Sequence, residues 1–191
     1  MLFEEKIITL KDGRSAVLKS PDVEDAEQLM NYIKKACGET EFLVRYPEEW
    51  NITKEYEEAW INRLRSAPDT LNITCFVDGA VAGNCEISFR KGIKTGHRST
   101  VAIAILKEYW NLGIGSAMFQ ELIIAAENYG SEFMELSFIE GNIRAQHLYK
   151  KFDFHIIADI PNAFKLKDGT YLKEFYIQKK LSSSSLSQDT I

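Results

Sequence analysis

Apolar and polar residues alternate along two neighbouring stretches near the middle of the chain. The alternating apolar positions are Leu71, Ile73, Cys75 and Val77 in the first stretch and Cys85, Ile87 and Phe89 in the second. A period of two is typical of strands that bury one face. Asp78-Gly79 lies between the stretches, and this pair favours a tight turn because glycine tolerates positive φ. The pattern predicts an antiparallel hairpin that pairs about 70–77 with 80–90.

The Asp-Gly pair occurs twice more between stretches with strand character. Asp12-Gly13 predicts a hairpin of about 5–10 with 14–19, and Asp168-Gly169 predicts one of about 153–166 with 170–180. Further strands are expected over about 97–107 and 133–138.

Four segments between these strands have helical character. They run from Ser20 to about Ala36, from Thr53 to about Ser66, from Gly113 to about Asn128, and from about Asn142 to Lys151. Ser20 and Thr53 are predicted N-caps, since their hydroxyls can accept a hydrogen bond from the first turn. Gly130 is expected to end the third helix.

This order of elements predicts a mixed α/β (α+β) fold. We expect a mostly antiparallel sheet of about seven strands with four helices on both faces. The strand over 97–107, the glycine-led helix and the strand over 133–138 form the one clear parallel βαβ unit. Residues 1–181 are predicted to form a single domain, and the serine-rich residues 182–191 to form a flexible tail.

The formal net charge of −5 argues against broad binding to nucleic acid, which needs a basic face. No apolar run approaches the roughly 20 residues that a membrane span needs. The first five residues lack the basic leader and apolar core of a signal peptide. We therefore expect a cytoplasmic protein that binds neither nucleic acid nor membrane.

Neither the cysteines nor the histidines have the spacing of metal ligands. The cysteines are Cys37, Cys75 and Cys85, and the histidines are His97, His147 and His155. We expect no metal site, and we expect Cys75 and Cys85 to be small core residues.

The loop before the third helix carries two glycines, Gly113 and Gly115. Backbone N–H groups at a helix N-terminus bind anions, and the helix dipole favours their charge. The segment therefore predicts a binding site for a phosphorylated ligand. A side chain at Gly113 or Gly115 is expected to enter the space that the phosphate occupies. A nucleotide P-loop is excluded because no lysine precedes Ser116. A dinucleotide fingerprint is excluded because Met118 stands at its third glycine position.

Two segments together resemble the GNAT family of acetyltransferases. Residues 110–116 are similar to that family's pyrophosphate loop, Gln/Arg-x-x-Gly-x-Gly/Ala. Residues 142–154 are similar to its second signature, Asn-x-x-Ala-x-x-Leu-Tyr-x-x-x-Gly-Phe. Trp110 departs from the Gln or Arg of many members, and Asp153 replaces a glycine whose left-handed conformation aspartate tolerates.

The resemblance implies acetyl-CoA as co-substrate and assigns residues to it. The pyrophosphate would meet Leu112, Gly113, Ile114, Gly115 and Ser116, and the pantetheine arm would pair along Ile103, Ala104 and Ile105, where a backbone amide polarises the carbonyl. Asn142 would contact the cofactor, although an N-cap role explains it equally well. Tyr149 would protonate the CoA sulfur, although its helical spacing also fits a buried aromatic residue.

The base that removes the amine proton is less constrained by the sequence. Glu86 lies on a strand expected to line the cleft, where its carboxylate could accept the proton directly or through water. A solvated strand face is the alternative. Ser137 stands where some members have an acidic residue, and a serine cannot act as that base without help.

The predicted function is transfer of an acetyl group from acetyl-CoA to a primary amine. The acceptor could be a small amine, an antibiotic-like polyamine or a peptide α-amine, and the loop over 37–52 is a candidate wall of its pocket. The alternative is a non-catalytic CoA-binding or partner-binding module. A homodimer that uses 170–180 as an edge strand is a further expectation.

Overall fold

The computed structural model describes residues 1–182, which form one eight-stranded sheet flanked by four helices. The strands are β1 (Lys6–Thr9), β2 (Ser15–Lys19), β3 (Thr70–Val77), β4 (Ala80–Phe89), β5 (Arg98–Ile105), β6 (Phe133–Ile139), β7 (His155–Lys165) and β8 (Tyr171–Lys180). The helices are α1 (Ala26–Glu39), α2 (Lys54–Ser66), α3 (Ile114–Tyr129) and α4 (Ile143–Lys151).

The strands lie in the order β1-β2-β3-β4-β5-β6-β8-β7. All three predicted hairpins are confirmed, and the parallel pair is β5 with β6. At the β3–β4 turn Asp78 and Gly79 have φ values of 52° and 80°, so the pair adopts the left-handed conformation that this turn needs. The sheet has eight strands, where about seven were expected.

The edge strand at the C-terminal side of the sheet differs from the expectation. β8 pairs with β6 on one side and with β7 on the other. After α4 the chain first forms β7 at the edge of the sheet, and β8 then runs back between β7 and β6. The edge is therefore β7, and the prediction of 170–180 as an edge strand is wrong. Whether the chain forms a homodimer stays a prediction.

Helices cover both faces of the sheet, as predicted. On one face α3 and α4 bury a large apolar cluster that includes Phe119, Leu122 and Met134. On the other face α1 and α2 cover a smaller cluster around Leu29, Ile61 and Phe76. Cys75 and Cys85 are buried in the larger cluster, so their predicted role as core residues is confirmed.

Most predicted helix ends agree with the structure. Thr53 caps α2 by accepting a hydrogen bond from the N–H of Tyr56, and α3 lies between Gly113 and Gly130. The prediction of Ser20 as an N-cap is wrong. Its hydroxyl accepts from the N–H of Phe3 and donates to a carbonyl of β3, and α1 begins only at Ala26 after a short 3₁₀ turn.

β5 and β6 pair over only three rungs, which end at Thr100 and Glu135. The Glu135 carboxylate accepts hydrogen bonds from Arg98 at 2.7 and 2.6 Å, from Arg90 at 3.3 Å and from Gln178 at 2.7 Å. These bonds join the β4–β5 side of the sheet to β6 and β8. Beyond this junction β5 and β6 diverge and leave a gap in the sheet.

None of the helices within residues 1–182 is long and apolar enough to cross a membrane. The predicted tail lies outside the described residues, apart from Ser182. The division into a domain over 1–181 and a tail stays a prediction, as does the cytoplasmic location.

Candidate active site

A cleft of about 820 Å³ occupies the gap between the diverging ends of β5 and β6. Its walls come from residues 100–105 of β5, 136–138 of β6, the first turn of α3 and much of α4. Residues 40, 42, 43 and 44, which follow α1, close the side toward α1 and α2. This segment belongs to the loop that the sequence indicated as a pocket wall.

The edge of β5 that faces the gap carries unpaired backbone groups. The N–H and carbonyl groups of alternate residues on a strand point to the same side. The carbonyl of His97, just before β5, points toward β6, where it accepts hydrogen bonds from Glu132 and Phe133. The N–H and carbonyl groups of Ile103 and Ile105, an even number of residues later, therefore also point to this side, which is the gap. The Ile105 carbonyl accepts a hydrogen bond from the Trp110 indole at 2.7 Å. The N–H groups of Ile103 and Ile105 face the cleft, whereas the carbonyl of Ala104 turns to β4.

The first turn of α3 presents backbone donors at one end of the cleft. Residues 113–116 line it, and the first N–H groups of a helix have no partner within the helix. No acidic residue lies in this turn. Lys151 donates to the Ser116 hydroxyl at 2.9 Å, so its ammonium group lies beside the same turn. Leu112 lies outside the lining, and its carbonyl accepts from the N–H of Lys11.

The two glycines of this loop serve different needs. Gly113 has φ +99°, a conformation that residues with a side chain rarely adopt. At Gly115 a Cβ would lie 3.2 Å from side-chain carbons of Ile105 and Leu148. Gly115 thus allows α3 to approach β5 and α4 closely. Whether a side chain at Gly115 would also enter the phosphate path stays a prediction.

Trp110 has a structural role at the position where many similar proteins have Gln or Arg. Its indole N–H bonds to β5, and the Arg144 guanidinium lies 4.4 Å from the centroid of its ring. Arg144 also donates to the side chain of Asn111 and lines the cleft. A positive charge therefore reaches this part of the site from α4.

Asn142 caps α4, because its side-chain oxygen accepts a hydrogen bond from the N–H of Ala145 at 3.2 Å. The N-cap interpretation is confirmed. The residue also lines the cleft, so its amide NH₂ can donate to a ligand while the oxygen caps the helix. Asp153, after the same helix, has φ +59°, which confirms that aspartate adopts the left-handed turn.

Tyr149 is both a packed aromatic residue and a cleft residue. Its ring centroid lies 5.5 Å from that of Phe119 and 5.7 Å from that of Phe138, and its side chain is buried. Burial raises the pKa of its hydroxyl well above the usual value, with no hydrogen bond from the described residues to offset it. The phenol is therefore protonated at neutral pH and can donate into the cleft.

Glu86 lies outside the lining of the cleft among the described residues. It pairs with Ala102 of β5 and stands on the face of the sheet that α1 and α2 cover. Its carboxylate accepts hydrogen bonds from Asn72 and Ser88, each at 3.3 Å. Ala102 lines the cleft and carries only a methyl group, so the carboxylate is one strand away from the cavity. Ser137 lines the cleft directly.

Several residues near the site carried no signal in the sequence. Lys11 lies in the turn between β1 and β2, Arg144 and Lys151 lie at the two ends of α4, and the three residues meet at the cleft only in the folded chain. Tyr32 of α1 donates to the carbonyl of Ala104 at 2.7 Å, a contact that no pattern in the sequence indicated. Within residues 1–182 no group of three or more His, Cys, Asp or Glu side chains could hold a metal ion.

Comparisons with known proteins agree with this geometry. Residues 30–154 match the family model described as acetyltransferase (GNAT) family. The chain is 25% identical to the L-amino acid N-acetyltransferase AaaT of Escherichia coli, over 64% of this chain and 76% of that protein. It is 27% identical to an N-alpha-acetyltransferase of Sulfurisphaera tokodaii, over 85% of this chain and 93% of that protein.

The fold is also similar to that of an acetyltransferase from Salmonella typhimurium solved with its cofactor acetyl-CoA. The two share 15% sequence identity and a TM-score of 0.75, over 92% of this chain and 99% of that chain. With the family model matching well over half of its length, the chain belongs to the GNAT family of acetyltransferases.

Proposed function

We propose that the protein transfers an acetyl group directly from acetyl-CoA to the α-amino group of an amino acid or a short peptide. The observation that carries the proposal is the gap between β5 and β6, which has free backbone donors on one wall and the N-terminus of α3 at one end. The names of the two curated relatives support an α-amino acceptor. The acetyl-CoA complex of a protein with this fold supports the co-substrate.

The cleft suits the two polar parts of acetyl-CoA. The pyrophosphate would accept hydrogen bonds from the N–H groups of residues 113–116, where the helix dipole favours negative charge. Arg144 and Lys151 would add positive charge at the same end. The pantetheine amides would pair with the free edge of β5, as an added strand pairs with a sheet edge.

The acetyl transfer needs one polarised carbonyl and two proton movements. The amine nitrogen forms a bond to the thioester carbon while the bond from that carbon to sulfur breaks. A backbone N–H of β5 would stabilise the charge that develops on the carbonyl oxygen. Tyr149, which is protonated at neutral pH, would donate its hydroxyl hydrogen bond to the sulfur as the bond from carbon to sulfur breaks, and would pass its proton to the thiolate. Because a thiolate is a weaker base than a phenolate, the tyrosine would recover a proton as the amine proton is released.

Glu86 is the proposed acceptor of the amine proton. Because it stands one strand from the cleft, we expect it to accept the proton through a bridging water molecule. The small side chain of Ala102, which lies between Glu86 and the cleft, leaves room for that water. Hydrogen bonds from Asn72 and Ser88 hold its carboxylate in place. Replacement by glutamine would remove the basicity while the remaining side-chain oxygen accepts from Asn72 and the new NH₂ group donates to the Ser88 hydroxyl.

An acceptor panel tests the proposal. Purified protein is incubated with acetyl-CoA and with L-amino acids, short peptides, N-blocked peptides and polyamines, and both CoA thiol release and product mass are measured. Transfer to free α-amines, but not to N-blocked peptides, is the expected result. Acetyl-CoA binding without transfer to any amine would instead support the non-catalytic module. Glu86→Gln should lower kcat/KM with an unchanged affinity for CoA, and Glu4→Gln, at an exposed residue outside the cleft lining, is its matched control.

A further inference from the structure

The face of the sheet opposite α3 and α4 is open beside the cleft. The residues of β6 that pack in the core on the α3 side are Met134, Leu136 and Phe138. Side chains alternate between the two faces along a strand, so Glu135 and Ser137 point to the opposite face. Thr100 and Ala102 of β5 share that face, because Thr100 is the register partner of Glu135. Ser137, Thr100 and Ala102 are exposed, so an acceptor can reach the gap from this side.

Two arginines and a glutamate lie on this open face at the point where β5 and β6 separate. Arg98 precedes Thr100 by two residues, and the N–H of Arg90 donates to the Arg98 carbonyl from the end of β4. Both guanidinium groups donate to the Glu135 carboxylate. Because Glu135 lies level with Thr100, the guanidinium groups lie at the narrow end of the cleft. Two positive charges against one negative charge leave this cluster with one positive charge in excess.

The two arginines keep hydrogen-bond donors that the described part of the chain does not use. Arg98 presents Nε and Nη2 to Glu135 at 2.7 and 2.6 Å, and Arg90 presents only Nη2, at 3.3 Å. Within residues 1–182 the Nη1 group of each arginine therefore stays available. The side chains of Arg90 and Arg98 are 40% and 33% exposed, so a ligand can reach them. A guanidinium group has donors on several sides and binds carboxylates strongly.

Charges of opposite sign lie at the two ends of this open face. Glu86 shares the face with its register partner Ala102, and Arg90 lies four residues further along β4. An acceptor whose amine lies at Ala102 and whose carboxylate lies at the arginines meets a complementary charge at each end. Ala102 and Thr100 are about 6.6 Å apart along the strand. An α-amino acid spans this length, with about 3 Å between amine and carboxylate and a hydrogen bond of about 3 Å.

We propose that Arg90 and Arg98 form a carboxylate-binding subsite that selects free α-amino acids as acetyl acceptors. The inference rests on the proposed function and narrows its acceptor to an amine with a carboxylate on the neighbouring carbon. Glu135 holds both guanidinium groups in place, and their Nη1 groups donate to the substrate carboxylate. A peptide bond or a carboxamide has no negative charge at that position, so peptides and amino acid amides should be poor acceptors.

Changing the acceptor tests the subsite in the unaltered protein. With saturating acetyl-CoA, kcat and KM are measured for a set of L-amino acids, for the carboxamide of each, and for dipeptides that begin with the same residues. The wild type should prefer the free acid to its carboxamide by about 10- to 100-fold in kcat/KM. This is the range expected for a charge-assisted hydrogen bond between a guanidinium group and a carboxylate.

Two variants test the arginines themselves. Arg90→Gln removes one charge and breaks only the 3.3 Å bond to Glu135, and Arg98→Lys keeps the charge but loses the planar fork. Each should raise KM for the free acid about tenfold and change kcat less than about threefold, because the contact is made equally in the ground state and the transition state. The kcat/KM for the carboxamide should not change. Arg63→Gln, at an exposed arginine of α2, is the matched control, and melting temperatures are recorded for all variants.

Three results would overturn the inference alone. Equal kcat/KM for acid and carboxamide in the wild type would show that no group binds the carboxylate. An equal fall for both acceptors in Arg90→Gln, the variant that disturbs Glu135 least, would show that the arginines only stabilise the sheet. If the wild type acetylates dipeptides but not free amino acids, the subsite is wrong while the proposed function stands. If the wild type transfers acetyl groups to no amine, both fail.

Discussion

Replacing Tyr149 with phenylalanine separates its chemical role from its packing role. The ring contacts with Phe119, Phe138 and Phe154 remain in the variant. The lost hydroxyl has no hydrogen-bond partner among the described residues, so no group is left unsatisfied by its removal. We therefore expect the free energy of unfolding to change by less than about 0.5 kcal/mol.

The expected effect on the rate is much larger. A positioned general acid contributes about 10²- to 10⁴-fold, which corresponds to about 3–5 kcal/mol in the activation free energy. Burial raises the pKa of Tyr149, so its acid form persists to higher pH than that of an exposed tyrosine. The wild-type rate should therefore show no loss from this group between pH 6 and pH values of about 10.

The assay is the initial rate of CoA thiol release at saturating acceptor across that pH range. Calorimetry of CoA binding accompanies it, because the phosphate contacts should be unaffected. Tyr129→Phe is the matched control. This tyrosine stacks on Phe89 with 3.8 Å between the ring centroids, and it is not among the residues that line the cleft. If Tyr149→Phe keeps the wild-type kcat at every pH, Tyr149 is a packing residue and the thiolate is protonated by another group.

Three further variants test other parts of the site and the fold. Gly113→Val should weaken CoA binding at least about tenfold by calorimetry, because φ +99° is strained for any side chain; unchanged affinity would remove the pyrophosphate from this turn. Asn142→Ser should keep the cap of α4 but weaken CoA binding, whereas equal affinity and equal stability would leave Asn142 a cap alone. Glu135→Gln should lower the free energy of unfolding by about 1–3 kcal/mol at pH 7. Burial raises the pKa of Glu135, but hydrogen bonds from Arg98 and Gln178 outweigh it and hold that pKa below the usual value. The stabilisation is therefore present above pH values of about 4.5 and lost as the pH falls through the lowered pKa, so denaturation curves of both proteins should converge in acid; a constant difference would refute the assignment.

Local signals in the sequence predicted much of the fold. The three Asp-Gly pairs located the hairpins because the glycine of each pair adopts positive φ, which is a local property of that residue. Gly113 and Gly130 located α3 for the same reason. Ser20 misled because its hydroxyl bonds to Phe3 and β3, and tertiary contacts of this kind leave no local pattern. The exchange of β7 and β8 at the edge likewise depends on pairing between distant strands.

The residues of the site also differ in whether a local signal in the sequence could predict them. The loop before α3 and the segment from Asn142 to Tyr149 are contiguous motifs, and the structure brings both to one cleft. The distance of Glu86 from that cleft follows from strand positions, which the alternation of β4 alone does not specify. Tyr32 bonds to Asn84 and Ala104, and Arg144 contacts Asn111 and Trp110. All of these contacts are made across the fold, so neither spacing nor residue type could indicate them.

The account centres on acetyl-CoA bound in the gap between β5 and β6. A crystal structure of the protein with acetyl-CoA tests this most directly. We predict that the pyrophosphate oxygens lie within hydrogen-bond distance of the N–H groups of residues 113–116, with the sulfur beside the Tyr149 hydroxyl and the carbonyl oxygen at a free backbone N–H of β5. A cofactor bound outside the gap, or in the gap with its thioester turned away from both groups, would contradict the account.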